Sequence, residues 1–158
     1  MAFARSRLKK ILLYDTAGNP YTANGGVTKF TWANADVVAL GAVLSGELTV
    51  VTLAAKTFVR NAYIVITGQG AGVTTLTVSV GRAAAAYVDY IAAGDAKAAV
   101  NTVYGDTAGE RGANLTGYDL PSYTGTTVVK AQFVATGANL DQVTGSTGTI
   151  YLETITLS

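Results

Sequence analysis

Apolar and polar residues alternate most clearly in residues 57–82. In each half of this stretch every second residue is apolar, which is the period of a strand with one buried face. The apolar residues are Phe58, Ala62, Ile64 and Ile66 in the first half, and Leu76, Val78 and Val80 in the second. The glycine-rich break at 68–72 can adopt the positive φ angles of a tight turn. The pattern therefore predicts a central β-hairpin whose apolar face forms part of the core.

Shorter runs predict further strands over 27–32, 48–54, 87–91, 128–135 and 149–157. Residues 33–40 suit a helical turn or a loop. Asp95 can cap a brief helix over 96–100, because this segment is rich in alanine. Seven or eight short strands with almost no helix are typical of an all-β protein with a single β-sandwich, and a jelly roll is the form we expect.

Residues 1–25 are predicted to form an extended N-terminal arm, and residues 26–158 the sandwich domain. Four basic residues, Arg5, Arg7, Lys9 and Lys10, lie within the first ten positions, whereas the remaining 148 residues contain seven basic and ten acidic residues. Charge asymmetry of this kind is typical of an interaction tail. Because Phe3 and Leu8 lie among the charges, a groove on a protein suits the arm better than a nucleic acid does. A mobile terminus is the alternative.

The overall composition favours contact with other proteins. The chain is 49% hydrophobic and only 13% charged, whereas an average globular domain has about 25% charged residues. A membrane partner is not expected. The charge-free residues 61–81 alternate and contain several threonines, and the apolar run 11–14 is too short for a signal segment.

The sequence predicts no catalytic, cofactor or metal site. It contains no histidine and no cysteine, which removes the commonest general base, the commonest metal ligand and any thiol nucleophile. Gly68, Gly70 and Gly72 are spaced as in a phosphate loop, but the residues that follow predict a strand instead of the required helix. A calcium ion held by Asp106, Glu110 or Asp119 is a less favoured alternative to solvated loop acids.

Nine tyrosines are many for this length. Tyr104, Tyr118 and Tyr123 fall in the loop-rich region 87–123, where they are candidates for contact with a partner, since tyrosine is enriched at protein interfaces. An ordinary role at the rim of the sandwich is the alternative.

Four stretches after residue 50 resemble the capsid decoration, or cement, proteins of tailed bacteriophages. They are AAKTFVRNAYIVITGQGAGVTTLTVSVGR (54–82), YVDYIAAGDAKAAVNTVYGD (87–106), RGANLTGYDLPSYT (111–124) and TVVKAQFVATGANLDQVTGSTGTIYLETITL (127–157). The resemblance implies a jelly-roll protein that is made in the bacterial host cytoplasm and sits on the outer surface of the capsid. It also implies binding to the major capsid protein, and often a homotrimer.

On this interpretation the residues that contact the capsid or a neighbouring subunit are Phe3, Arg5, Arg7, Leu8, Lys9, Lys10, Tyr104, Tyr118 and Tyr123. An alternative is a virion-borne carbohydrate- or receptor-binding module, because jelly rolls also occur in lectins. An enzyme is the least favoured function, since the sequence lacks histidine and a recognisable carboxylate pair.

Overall fold

The computed structural model describes residues 23–83, 87–107, 109–112, 115 and 125–157. Its strands are β1 (Ala23–Trp32), β2 (Ser45–Leu53), β3 (Thr57–Gly68), β4 (Thr75–Gly81), β5 (Ile91–Asp95), β6 (Val103–Tyr104), β7 (Thr127–Thr136) and β8 (Thr147–Leu157). The helix α1 spans Asn34–Val38, and a 3-10 helix spans Leu140–Gln142. Within the described residues, no helix has the length and apolar character needed to cross a bilayer.

The strands form two four-stranded sheets with the orders β1-β8-β3-β6 and β2-β7-β4-β5. All neighbouring strands are antiparallel. Eight antiparallel strands divided between two sheets in this order form a jelly roll. The prediction of an all-β, single β-sandwich is therefore confirmed.

The core lies between the two sheets, and Trp32 of β1 is one of its largest buried side chains. The Trp32 side chain is fully buried and contacts Phe133 of β7 edge-to-face, with ring centroids 5.5 Å apart. Its indole N–H donates a hydrogen bond to the hydroxyl of Ser146, at 3.3 Å. The predicted buried face of β4 is confirmed, because Leu76, Val78 and Val80 are all buried. The strand predicted over 128–135 is β7, and its buried residues are Val129, Ala131, Phe133 and Ala135.

The predicted central hairpin is wrong. β3 pairs with β8 and β6, whereas β4 pairs with β7 and β5, so the two strands lie in opposite sheets. The predicted positive φ is found in the break between them, at Gly72, which has a φ of 86°. A Cβ atom at this position would lie 2.1 Å from the carbonyl oxygen of Gln142. The predicted alternation is confirmed from Ala62 to Ile66 and from Leu76 to Val80, and these faces of β3 and β4 pack into one core from two sheets.

A β-bulge in β3 changes which residues face the core. The pairing with β8 shifts register between Val59 and Asn61, so Arg60 is the extra residue. An extra residue reverses the side-chain alternation before it. Val59 therefore belongs to the hydrophobic core. Phe58 is also buried, but it lies on the opposite face of the strand and outside that core.

Two local predictions around residues 87–100 are also wrong. The strand in this region is β5, at Ile91–Asp95, and not 87–91. Residues 96–100 form turns and no helix, although a carboxylate oxygen of Asp95 does accept a hydrogen bond from the Lys97 backbone N–H, at 2.8 Å. Residues Asn34–Val38 do form an α-helix, within the stretch for which a helical turn is one of two predictions.

Candidate protein-contact surfaces

Most of the residues predicted to contact a partner lie outside the described residues. They are Phe3, Arg5, Arg7, Leu8, Lys9, Lys10, Tyr118 and Tyr123. Asp119, one of the three acids considered for calcium, also lies outside them. Within the described part of the chain, no group of three or more carboxylates could hold a metal ion.

Tyr104 lies in β6, at the edge of the sandwich. Its ring packs against the hydrophobic core and over Gly94 of β5, where a Cβ would lie 2.8 Å from the ring. Its hydroxyl donates a hydrogen bond to the carbonyl oxygen of Asp95, at 3.3 Å. Burial raises the pKa of this hydroxyl. Tyr104 therefore links the edges of the two sheets and leaves only part of its surface for a partner.

The loop after Tyr104 is tied to its neighbours by hydrogen bonds. The Glu110 carboxylate accepts from the Gly105 N–H at 3.1 Å, and the Arg111 guanidinium donates to the Gly105 carbonyl at 3.1 Å. The Gly112 N–H donates to the Tyr90 carbonyl at 2.8 Å. Burial opposes ionisation of Glu110, but hydrogen bonds to its carboxylate outweigh this effect and lower its pKa. These contacts hold the described part of the loop against β5.

The outer surface of the β1-β8-β3-β6 sheet, which we call the outer tyrosine face, carries large apolar and aromatic side chains. Tyr63 of β3 lies directly opposite Tyr151 of β8 in the register. The ammonium group of Lys29, on β1, lies 6.0 Å from the centre of the Tyr151 ring, within the range of a cation–π contact. Tyrosine is enriched at protein interfaces, and here the two rings lie on a face that also carries Lys29 and Glu153.

A second row on the outer tyrosine face consists of threonine and valine side chains. The register aligns Thr31, Thr149, Val65 and Val103 across all four strands. The hydroxyls of Thr31 and Thr149 lie 3.2 Å apart and are hydrogen-bonded. Val103, at the β6 edge, is 39% exposed, and Val27, beside the tyrosine row on β1, is 67% exposed. This sheet therefore presents exposed valine and half-buried tyrosine side chains together with threonine hydroxyls.

The outer surface of the β2-β7-β4-β5 sheet is more polar. Glu47 of β2 accepts hydrogen bonds from Lys130 of β7 and from the Tyr87 hydroxyl. The bond from Lys130, followed by that from Tyr87, lowers the pKa of Glu47. Thr75 and Thr136 join their hydroxyls at 2.7 Å on neighbouring strands. Cross-strand polar pairs of this kind satisfy one another and suit a solvated surface.

Sequence reasoning did not select Tyr63, Tyr151 or Val27. The pattern does contain a signal for the two tyrosines, because each alternates with buried positions on its own strand: Tyr63 lies between Ala62 and Ile64, and Tyr151 lies between Ile150 and Leu152. The sequence pattern does not give the strand register that brings Tyr63 and Tyr151 side by side.

No protein-family model matches the chain, and no curated protein matches it. Among solved structures, the chain is similar to a chain of the structure entitled "Cyanophage Pam1 capsid asymmetric unit", with a TM-score of 0.44 and 16% sequence identity. The alignment covers 99% of this chain and 96% of that chain.

Proposed function

We propose that this protein is a structural protein of a bacteriophage virion that decorates the outer surface of the capsid and stabilises contacts between capsomers. The observation that carries the proposal is the outer tyrosine face. A rigid sheet there presents Tyr63, Tyr151 and Val65 in two aligned rows. Tyrosine and aliphatic side chains on a firm backbone contact a partner at a low cost in conformational entropy. The resemblance of residues 54–157 to capsid decoration proteins supports the same function.

On this proposal the major capsid protein is the partner, and the basic arm adds a second contact. Two linked contacts bind more tightly than either alone, because the first raises the effective concentration of the second. The proposal includes association of the protein with itself as a homotrimer and a location on the outside of the capsid. It includes no catalytic reaction and no cofactor.

Binding to undecorated capsids tests the proposal. The full chain and a variant that lacks residues 1–13 are mixed with capsids and sedimented, and the bound fraction is measured. We expect the full chain to bind and the truncated variant to bind more weakly while its circular dichroism and melting temperature stay unchanged. Unimpaired binding of the truncated variant would contradict a role of the arm, and absence of binding by both would contradict the proposed function.

The number of copies in purified virions separates head decoration from other virion roles. Hundreds of copies are expected for a protein that covers the capsid, whereas a few copies would indicate a tail or vertex component. The carbohydrate-binding alternative requires an exposed aromatic platform in the loops of residues 104–123. Tyr104, the described candidate there, is half-buried. Specific binding on a glycan array would support that alternative.

A further inference from the structure

β1 forms one edge of its sheet, and alternate backbone groups along it point into solvent. The orientation follows from Ile66 of β3, whose N–H donates to Thr102 at 2.9 Å and whose carbonyl accepts from Asn101 at 2.7 Å. Both partners lie on the side of β3 away from β8, so the backbone groups of Ile66 face away from β8. The backbone N–H and C=O groups of successive residues point to opposite sides of a strand in an antiparallel ladder. The backbone groups of Tyr63 and Val65 therefore point towards β8.

The same alternation gives the direction in which the backbone groups of β8 point, and then the direction for those of β1. Tyr151 is opposite Tyr63, so its backbone N–H and C=O groups point towards β3. The backbone groups of Leu152 therefore point towards β1, where its partner is Thr28. The hydroxyl of Thr154 on β8 reaches the carbonyl of Gly26 at 3.4 Å, which agrees with this orientation. The N–H and C=O groups of the odd-numbered residues Gly25, Val27, Lys29 and Thr31 therefore point away from β8, and no other described strand pairs with them.

This edge is the longest regular edge among the described strands. β1 has 10 residues and pairs with β8 without a register shift. The other edges are less suited to pairing, since β6 has 2 residues, and both β2 and β5 lie beside irregular register. Natural proteins usually protect a long edge with proline, charge or a bulge. β1 has no proline or bulge and has one charged residue, Lys29.

We propose that the free edge of β1 pairs antiparallel with β1 of a second copy, about a two-fold axis at Val27. This extends the β1-β8-β3-β6 sheet into a continuous sheet across two molecules, as in strand-addition complexes. The proposal rests on the β1 edge and its side chains and is independent of the proposed function. Its two-fold contact is distinct from the three-fold contacts of the proposed homotrimer.

The side chains select this register. With the axis at Val27, the two Val27 side chains, each 67% exposed, lie directly opposite and cover one another. Lys29 then lies opposite Gly25 of the second copy, where the missing side chain leaves room for the lysine stem. A depression of about 430 Å³, lined by Gly25, Gly26, Arg60 and Glu153 among others, adjoins that position. An axis at Lys29 would instead place two ammonium groups opposite each other, which is unfavourable.

The contact is weak between two isolated molecules. One strand pair buries less than the roughly 1,000 Å² that a stable interface requires. It becomes effective where copies are already held close together, because proximity raises the effective concentration. Disulfide cross-linking therefore tests the proposed contact better than a measurement of molecular mass alone.

Single cysteine variants allow this cross-linking, because the natural chain has no cysteine. In the proposed register the two residues at 27 have Cα atoms about 5.5 Å apart, which permits a disulfide. The two residues at 29 are displaced by about 14 Å along the strand. Under mild oxidation of purified protein, we expect Val27→Cys to form a covalent dimer about tenfold faster or more than Lys29→Cys or Val100→Cys. Val100 is an exposed residue in the β5–β6 loop.

A second variant shows whether strand pairing causes the cross-link. Adding Gly25→Pro to Val27→Cys removes an N–H that points to the free edge and leaves the bonds to β8 in place. We expect this double variant to lose the rapid cross-linking and to keep a cooperative thermal transition. Equal rates for Val27→Cys and Lys29→Cys would overturn the proposal. A rate that Gly25→Pro leaves unchanged would overturn it too. Since no capsid is present, neither result depends on capsid binding.

Discussion

The ring of Trp32 lies against the backbone of Gly148, its partner in the β1–β8 register. A Cβ atom on Gly148 would lie 2.1 Å from the Cη2 atom of Trp32. The same ring contacts Phe133 in the opposite sheet. A glycine on β8 therefore makes room for the aromatic residue that joins the two sheets.

Replacement of Gly148 by alanine should destabilise the fold. The added methyl group must displace a ring that is packed on all sides, and overpacking of this kind costs about 1–3 kcal/mol. We expect Gly148→Ala to lower the free energy of unfolding by that amount in urea denaturation. Gly125→Ala is the control, since a Cβ there would meet no atom within 4 Å. Equal stability of the two variants would show that Trp32 moves without cost.

The ion pair between Arg82 and Asp89 makes a second prediction. The guanidinium donates to both carboxylate oxygens, at 2.8 and 2.9 Å, and the Asp89 side chain is only 3% exposed. Removing one partner of a buried pair leaves the other charge poorly solvated. We expect Asp89→Asn to lower the free energy of unfolding by about 2–3 kcal/mol, towards the lower end of the known range because Arg82 is 27% exposed. A change no larger than that of Glu47→Gln, in the exposed pair, would contradict this.

The Glu47 carboxylate predicts a small dependence of stability on pH. Hydrogen bonds from Lys130 and then Tyr87 lower its pKa in the folded protein. A lowered pKa contributes stability above the unfolded pKa of glutamate, and that contribution is lost as the pH falls through the folded value. We expect wild type to melt slightly above Glu47→Gln near neutral pH, and the difference to shrink as the pH falls below the ordinary pKa of glutamate and through the lowered value of the folded protein. Melting temperatures of both proteins across this range measure it, and a constant difference would contradict the assignment.

The sequence could predict which residues of β3, β4 and β7 are buried, because period-two alternation marks a half-buried strand wherever the strand pairs. It could not predict which sheet each strand joins. β3 and β4 follow one another through a glycine-rich turn and still separate into opposite sheets. The sequence also could not predict on which face of β3 the Phe58 side chain lies, because the bulge at Arg60 depends on pairing with β8.

The outer tyrosine face also could not be predicted from the sequence. Tyr63 and Tyr151 become neighbours only through the β3–β8 register, so no local pattern indicates that they form one surface. The arm and loop residues selected from composition lie mostly outside the described residues, and their role stays a prediction. Tyr104 illustrates why composition is ambiguous: its ring helps to close the sandwich edge, and part of its surface stays exposed.

Pairing of two β1 edges would also enlarge the outer tyrosine face. The odd-numbered side chains of β1 lie on the same side of the sheet as Tyr63 and Tyr151. A two-fold at Val27 would therefore join two such faces into one continuous surface. A larger rigid surface gives a partner more contacts without added conformational cost. The proposed self-contact and the proposed capsid contact would thus support one another, the first through the backbone edge of β1 and Val27, and the second through Tyr63 and Tyr151.

Substitution of Tyr151 should separate the two outer surfaces as capsid contacts. Tyr151 lies between Lys29 and Tyr63 on the outer tyrosine face and is half-buried. We expect Tyr151→Ser to weaken binding to undecorated capsids about tenfold or more, since truncated tyrosines at interface centres often cost over 1 kcal/mol. Val134→Ser, a half-buried position on the outer surface of the opposite sheet, is the matched control and should bind as wild type. Co-sedimentation over a range of protein concentrations gives both affinities. A larger loss for Val134→Ser would place the contact on the polar sheet and contradict the assignment of the outer tyrosine face.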